Sequence, residues 1–219
     1  YRSSFKQFDK VLCITLTSKL SGSYDSAVLA KSIMGSEYQG KIHIVDSLNA
    51  SCGQALVVLK AIDLIENGKE VEEIAKELQE FVPRVHVFAM FEDPKWLEAS
   101  GRISHTVANL MRGMTKLGIR PVLTFKNGAL VPAGLKIRAK DTADALFRQL
   151  QSDSEHLGKS GNQIRVAITH GDNPGGAERL KGMIEKGLVN SKVIFVNIIN
   201  NVVGAPTGPN TLALAWCET

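Results

Sequence analysis

Lys10-Val11-Leu12-Cys13-Ile14-Thr15-Leu16-Thr17-Ser18-Lys19-Leu20-Ser21-Gly22-Ser23-Tyr24-Asp25-Ser26-Ala27 changes texture twice in eighteen residues. Lys10 to Leu16 is a short apolar run, the length of a buried parallel strand. It gives way to a hydroxyl-rich turn, Thr17 to Tyr24, after which Ala27, Val28, Ala30, Ile33 and Met34 recur at helical spacing. The pattern then repeats. Ile42 to Asp46 reads as a second strand, Ser47 to Gly53 as a small polar turn, and Leu56, Leu59, Ile62 and Ile65 as a helix stopped by Asn67 and Gly68. Val71, Ile74, Ala75, Leu78 and Phe81 mark a further amphipathic helix. Strand, turn and helix in alternation predict a parallel α/β unit over residues 1–82.

Beyond Pro83 the order of elements becomes mixed. Arg84 to Met90 reads as a strand, Pro94 to Ala99 as a short helix ended by Gly101, and His105 to Lys116 as another helix. Ile119 to Phe125 and Ala129 to Ile137 flank Asn127-Gly128, the strongest short hairpin signal, so antiparallel pairing enters here. Ala143 to Leu157 and Ala177 to Lys186 read as helices, and Ile164 to His170 and Lys192 to Ile198 as strands. Asn201 to Asn210 is loop-like, and Thr211 to Cys217 returns as a strand. The second unit, residues 83–219, is therefore α/β with a mixed sheet.

Composition sets the limits. The 219 residues are 44% hydrophobic and 22% charged, too apolar for a disordered chain. No apolar run approaches the roughly 20 residues of a membrane span. Cys13, Cys52 and Cys217 are far apart and lack zinc-ligand spacing, so a reduced, cytoplasmic protein without a metal site is expected, with Cys13 packed in its strand. The chain opens at Tyr1 with no Met, charged leader or signal core, and reads as a piece of a longer protein. The net charge of +4 hides a step: 9 Lys/Arg against 11 Asp/Glu up to Val82, then 17 against 11. Between Glu98 and Asp141 there is no acidic residue, while Arg102, Arg112, Lys116, Arg120, Lys126, Lys136, Arg138 and Lys140 all occur. An anionic partner for the second unit and a merely solubilising surface both fit this step.

The turn at Thr17 to Tyr24 is the main candidate for chemistry. A helix N-terminus offers unpaired N–H groups and partial positive charge, Ser18, Ser21 and Ser23 add hydroxyl donors, and Gly22 lets a ligand approach the backbone. Such a site suits a carboxylate or phosphate; ordinary capping by one serine is the alternative. Asp46 and Ser47 end a strand beside it and are expected to orient the turn. No nucleotide loop, dinucleotide fingerprint or Gly-x-Ser-x-Gly elbow is present, which weakens nucleotide and hydrolase readings. His43 and His86 lie in strand-like runs and read as structural; His170, ending a strand before Gly171-Asp172-Asn173, lines a site or supports a turn. Arg102 and Arg138 bind an anion, dock a protein or are simply solvated.

Thr17 to Ala27 resembles the Ser-Ser-x-Leu-Ser-Gly-Thr-Tyr-Gln-Ser-Ala signature of the DegV family. Val45-Asp46-Ser47, Trp96-Leu97, Gly101-Arg102-Ile103 and Lys136 to Arg138 follow at similar spacing. The resemblance implies a bacterial, two-domain α/β protein that binds one long-chain fatty acid between its domains. It also implies that the acid is presented to a separate, dihydroxyacetone-kinase-like fatty acid kinase, which makes acyl phosphate for phospholipid metabolism. By that likeness Ser21 and Gly22 hold the carboxylate, with Ser18 nearby. The acyl chain occupies a tunnel formed by the second domain, and Arg102 and Arg138 face the kinase or its phosphate. The protein would then be a lipid carrier and not itself a catalyst, with no catalytic residue or metal, no cofactor beyond the bound lipid, and no nucleic-acid partner. Burying about fourteen methylenes at about 0.8 kcal/mol each outweighs desolvating the head group.

Two departures from the family pattern stand out. Family members carry an upstream strand and a Thr-Ser-Gln-Pro motif whose threonine is a second carboxylate ligand; neither precedes Tyr1 here. Near the C-terminus the family's His-x-Gly-Pro-Gly is replaced by Ala205-Pro206-Thr207-Gly208-Pro209-Asn210. A different reading makes the chain a regulatory or substrate-binding domain of a larger dihydroxyacetone-kinase-like fusion. A third, a nucleic-acid regulator drawn to the acid-free stretch, lacks any recognition motif.

Overall fold

The computed structural model describes residues 1–137, 139–155 and 163–219, with residue 120 by its backbone alone. Arg138, His156 and the last residues of the expected Ala143–Leu157 helix lie outside this set. The chain divides into two compact units, Tyr1–Val85 with Lys126–Ala129, and His86–Phe125 with Leu130–Thr219. The architecture is α/β, with a two-stranded parallel sheet and a six-stranded mixed one.

In the first unit, α1 (Arg2–Phe5) precedes β1 (Val11–Thr15), α2 (Ser23–Ser32), β2 (Ile42–Asp46), α3 (Cys52–Glu66) and α4 (Val71–Phe81). β1 and β2 pair in parallel from Val11↔Ile42 to Thr15↔Asp46. Ala27, Ala30 and Met34 pack with Phe5 and Ile42. α4 begins with a capping box in which Glu70 and Glu73 each bond the other's backbone, and it buries Ile74 and Leu78 completely. Gly68, at φ +76°, ends α3 as the sequence predicts, a conformation open to glycine at little cost. The expected full burial of the first strand does not occur. Val11, Leu12, Cys13 and Ile14 are only half-buried, because β2 is the one strand beside them among the described residues.

The second unit contains β3 (His86–Met90), α5 (Lys95–Ala99), α6 (His105–Lys116), β4 (Ile119–Lys126), β5 (Ala129–Ile137), α7 (Thr142–Ser154), β6 (Ile164–Gly171), α8 (Pro174–Gly187), β7 (Ser191–Ile198), α9 (Asn201–Thr207) and β8 (Thr211–Glu218). Its sheet runs β5-β4-β3-β8-β6-β7. β8 lies between β3 and β6, antiparallel to both, and seven of its eight residues are buried. Leu146 and Leu150 of α7 and Leu180 and Ile184 of α8 pack with Ile168, Leu212, Leu214 and Trp216 into one core. Each such side chain contributes about 1.5–3 kcal/mol by leaving water. The β4–β5 turn has Asn127 at φ +50° and Gly128 at φ +80°, both left-handed as a two-residue hairpin of the first primed type requires. One expectation is corrected: Asn201–Thr207 is helical and not loop. The Asn200 side chain accepts from Val203 N–H at 3.0 Å and starts the helix, and Pro206 falls in its last turn.

Candidate functional site

Thr15 and Asp46 are register partners at the carboxyl ends of β1 and β2, so the two following turns emerge side by side. Crevices at the carboxyl ends of parallel strands are where α/β folds place ligands. The backbones interlock: Ser47 N–H donates to Thr15 O at 3.2 Å, and Thr17 N–H to Asn49 O at 3.0 Å. Asp46 fastens both turns. Its carboxylate accepts from Ser18 N–H at 3.1 and 3.3 Å and from Leu48 N–H at 2.9 Å. Hydrogen bonds to an ionised acceptor are among the stronger ones, so this carboxylate fixes the entry to the serine turn. The orienting role expected of Asp46 is thus visible in geometry.

Ser47, fully buried, donates its hydroxyl to Asn49 O at 3.0 Å, and Asn49 returns a side-chain N–H to Ser47 O at 2.8 Å. Leu48 and Ser51 take positive φ values of +48° and +50° without being glycine. Strained backbone of this kind persists where surrounding contacts over-determine it, commonly beside a ligand site.

α2 opens at Ser23 with Gly22 as its cap, φ −73° and ψ +9°, so no side chain caps the helix from that position. The Ser21 and Ser23 hydroxyls are 2.8 Å apart, and Ser23 N–H donates to Ser21 Oγ at 3.2 Å. Simple helix capping therefore accounts for part of Ser21's role. Gly22 is different. Its φ is ordinary, and a Cβ built there would meet nothing within 4 Å, so neither backbone nor neighbours demand glycine. Ser18 is half-buried on the same turn, and Gly22 is exposed. Ser18, Ser21 and Gly22 thus lie together on one surface-accessible turn.

Sequence reasoning did not foresee the contact between Thr17 and Gly128 beside this turn. Thr17, fully buried, donates its hydroxyl to Gly128 O at 2.9 Å and accepts from Lys19 N–H at 3.3 Å. The Asn-Gly signal announced a turn at 127–128 but not its place beside Thr17. Burial pushes the half-buried Cys13 thiol above its ordinary value, and the side chain packs against the core of the first unit.

The remaining sequence candidates lie elsewhere. Arg102, partly buried in the second unit, donates to Ser100 O at 3.5 Å and makes no ion pair among the described residues. Arg112, from the same acid-free stretch, is tied to Glu98 and to Asn109 Oδ1, so it is not free. His43 faces Gly40 O at 3.3 Å. His86 pairs with Asp153 at 2.9 Å and stacks on Trp216 with 4.2 Å between ring centres, so both strand histidines are held structurally. His170 accepts from Asn173 N–H at 3.1 Å, supporting the turn before α8. Among the described residues no group of His, Cys, Asp and Glu could hold a metal ion. No described helix is long and apolar enough to cross a membrane.

The model of one family, described as "Uncharacterised protein, DegV family", matches residues 1–219. The chain belongs to the DegV family. A fatty acid-binding protein of Thermotoga maritima is 32% identical over 215 residues, covering 94% of this chain and 68% of that protein. The structure of a DegV family protein from Thermus thermophilus, described for its fatty acid binding, matches with a TM-score of 0.82 and 27% identity over 100% of this chain and 74% of that one. A stearic acid-binding protein from Eubacterium ventriosum matches equally well, TM-score 0.82 at 25% identity, over 100% of this chain and 73% of that one. The DegV likeness thus extends over both units, including the serine turn and the strands that carry it.

Proposed function

We propose that this chain binds a single long-chain fatty acid and holds its carboxylate at the turn formed by Ser18, Ser21 and Gly22. The observation that carries the reading is the serine turn opening α2, oriented by Asp46, where the packing leaves open space beside Gly22. Hydroxyl and first-turn N–H donors suit a carboxylate, and the helix N-terminus favours negative charge there. The fatty acid-binding relatives support the same ligand. The acyl chain is assigned to a tunnel in the second domain, residues 83–219. Native mass spectrometry of the protein made in a bacterial host tests the reading. One co-purifying acid of about 16 to 18 carbons is expected, its tail long enough to offset head-group desolvation. Protein that arrives empty and also fails to bind oleate would contradict it.

In the finer reading, the bound acid is presented to a fatty acid kinase for acyl phosphate formation, and Arg102 and Arg138 face that partner. Arg102 supports this because it pairs with no carboxylate among the described residues, while Arg112 is tied to Glu98. Arg102→Ala should leave oleate affinity unchanged and lower acyl phosphate formation with a cognate kinase. Equal turnover by variant and wild type would remove Arg102 from the docking surface. Ala205 is exposed on α9 and has no side-chain donor, so any proton or phosphate handling must come from other residues or from the kinase.

A further inference from the structure

We infer that Gly128 and Thr17 are positioning residues for the carboxylate turn: the carbonyl of Gly128 sets the Thr17 hydroxyl, and that hydroxyl sets the backbone of Lys19 ahead of Ser21 and Gly22. The Thr17 Oγ1 proton goes to Gly128 O at 2.9 Å, which directs an oxygen lone pair to Lys19 N–H at 3.3 Å. Thr17 O accepts from Leu20 N–H at 3.2 Å, so the residue anchors the turn through both its side chain and its backbone. Thr17 is fully buried, and a lost partner there leaves a polar group without water to replace it.

Gly128 is held to this place by two separate constraints. Its φ of +80° belongs to glycine's range. A Cβ would also stand 2.4 Å from Thr17 Oγ1, 3.1 Å from Leu48 Cδ2 and 3.2 Å from Lys19 Cγ. All three atoms belong to the two turns that Asp46 fastens, so added bulk at Gly128 pushes on the carboxylate turn itself. Gly22 is small with open space beside it; Gly128 is small because the turn fills that space.

The ligand half of this inference rests on the fatty-acid reading, so the test has one arm that needs no ligand. Backbone amide exchange at Lys19 and Leu20 is measured by NMR in the wild type, Thr17→Val, Thr17→Ser and Gly128→Ala, and oleate affinity is titrated in the same proteins. Asn127→Gly serves as a control, since it keeps the left-handed turn and removes no contact to Thr17. Thr17→Val and Gly128→Ala should each speed exchange and weaken oleate binding about fivefold, the size of one net hydrogen bond. Their double variant should fall short of the sum of the two single ones, because the Thr17–Gly128 contact can be lost only once while the pressure on Leu48 and Lys19 belongs to Gly128→Ala alone. Thr17→Ser and Asn127→Gly should stay within about twofold of wild type, and Thr17→Ser keeps the test open if Thr17→Val does not fold. Wild-type exchange and affinity in Thr17→Val, or additive effects in the double variant, would overturn the inference. Wild type that binds no oleate would count against the fatty-acid reading alone, and the exchange arm would still decide the positioning role.

Discussion

Gly208 and Gly22 show how one residue type answers different demands. Gly208 has φ +78°, and a Cβ there would lie 2.1 Å from Cδ1 of the Trp96 indole. Gly208→Ala should therefore destabilise the second unit by about 1–3 kcal/mol, from left-handed strain and overpacking together. Denaturant unfolding reads this directly, and a variant as stable as wild type would show that neither the left-handed backbone nor the indole contact demands glycine there. Gly22 has no such neighbour, which is why its smallness points to an incoming ligand. The turn that carries Ser18, Ser21 and Gly22 was legible in the sequence because its residues lie within five positions and its hydroxyl-rich pattern is local. The contact of Thr17 with Gly128 was not, since the two are 111 positions apart and nothing in either segment names the other.

Elements were read well wherever periodicity or a turn dipeptide governed them. α4 follows its apolar spacing, and the β4–β5 hairpin follows Asn127-Gly128. α9 was missed because Pro206 and Pro209 dominate its composition, while its cap depends on one hydrogen bond from Val203 N–H to Asn200. The charge count likewise overstated the free cations of α6. Glu98 of α5 accepts from Arg112 and contacts His105 of α6, while Asn109 bonds both His105 and Arg112, which closes the network. Arg112 first, then His105, hold the Glu98 carboxyl below its ordinary value of 4.5. A carboxylate whose folded value is depressed stabilises above its unfolded value and loses that contribution as pH falls through the folded one. Amide protection across Lys95–Lys116 should therefore decline as pH drops below about 4.5, and Glu98→Gln should remove that acid step. An identical acid step in Glu98→Gln would assign it to another group. Both partners are partly exposed, so the effect should also shrink with added salt.

For the whole molecule, the sequence showed two α/β units and a charge step between them, and the structure gives each unit its own sheet and its own core. The two-stranded sheet explains why an apolar strand, Val11 to Ile14, is only half-buried. Strand order in the six-stranded sheet was beyond sequence reading, because β8 comes last in the chain yet lies between β3 and β6. Partner choice there depends on which buried faces fit, and apolar strands of similar length carry little information about it. The parallel β1–β2 pair, by contrast, was legible from its strand–turn–helix repeat, and that pair carries the serine turn. The most direct measurement is a calorimetric titration of oleate into wild type and Ser21→Ala, with thermal unfolding of both. Wild type should bind one oleate, and Ser21→Ala should bind it about 10- to 150-fold more weakly, the loss of about 1.5–3 kcal/mol from one donor to a charged oxygen, with no more than the small drop in unfolding temperature expected from losing the Ser23 N–H acceptor. Equal affinity in the two proteins would contradict the assignment of the carboxylate to this turn.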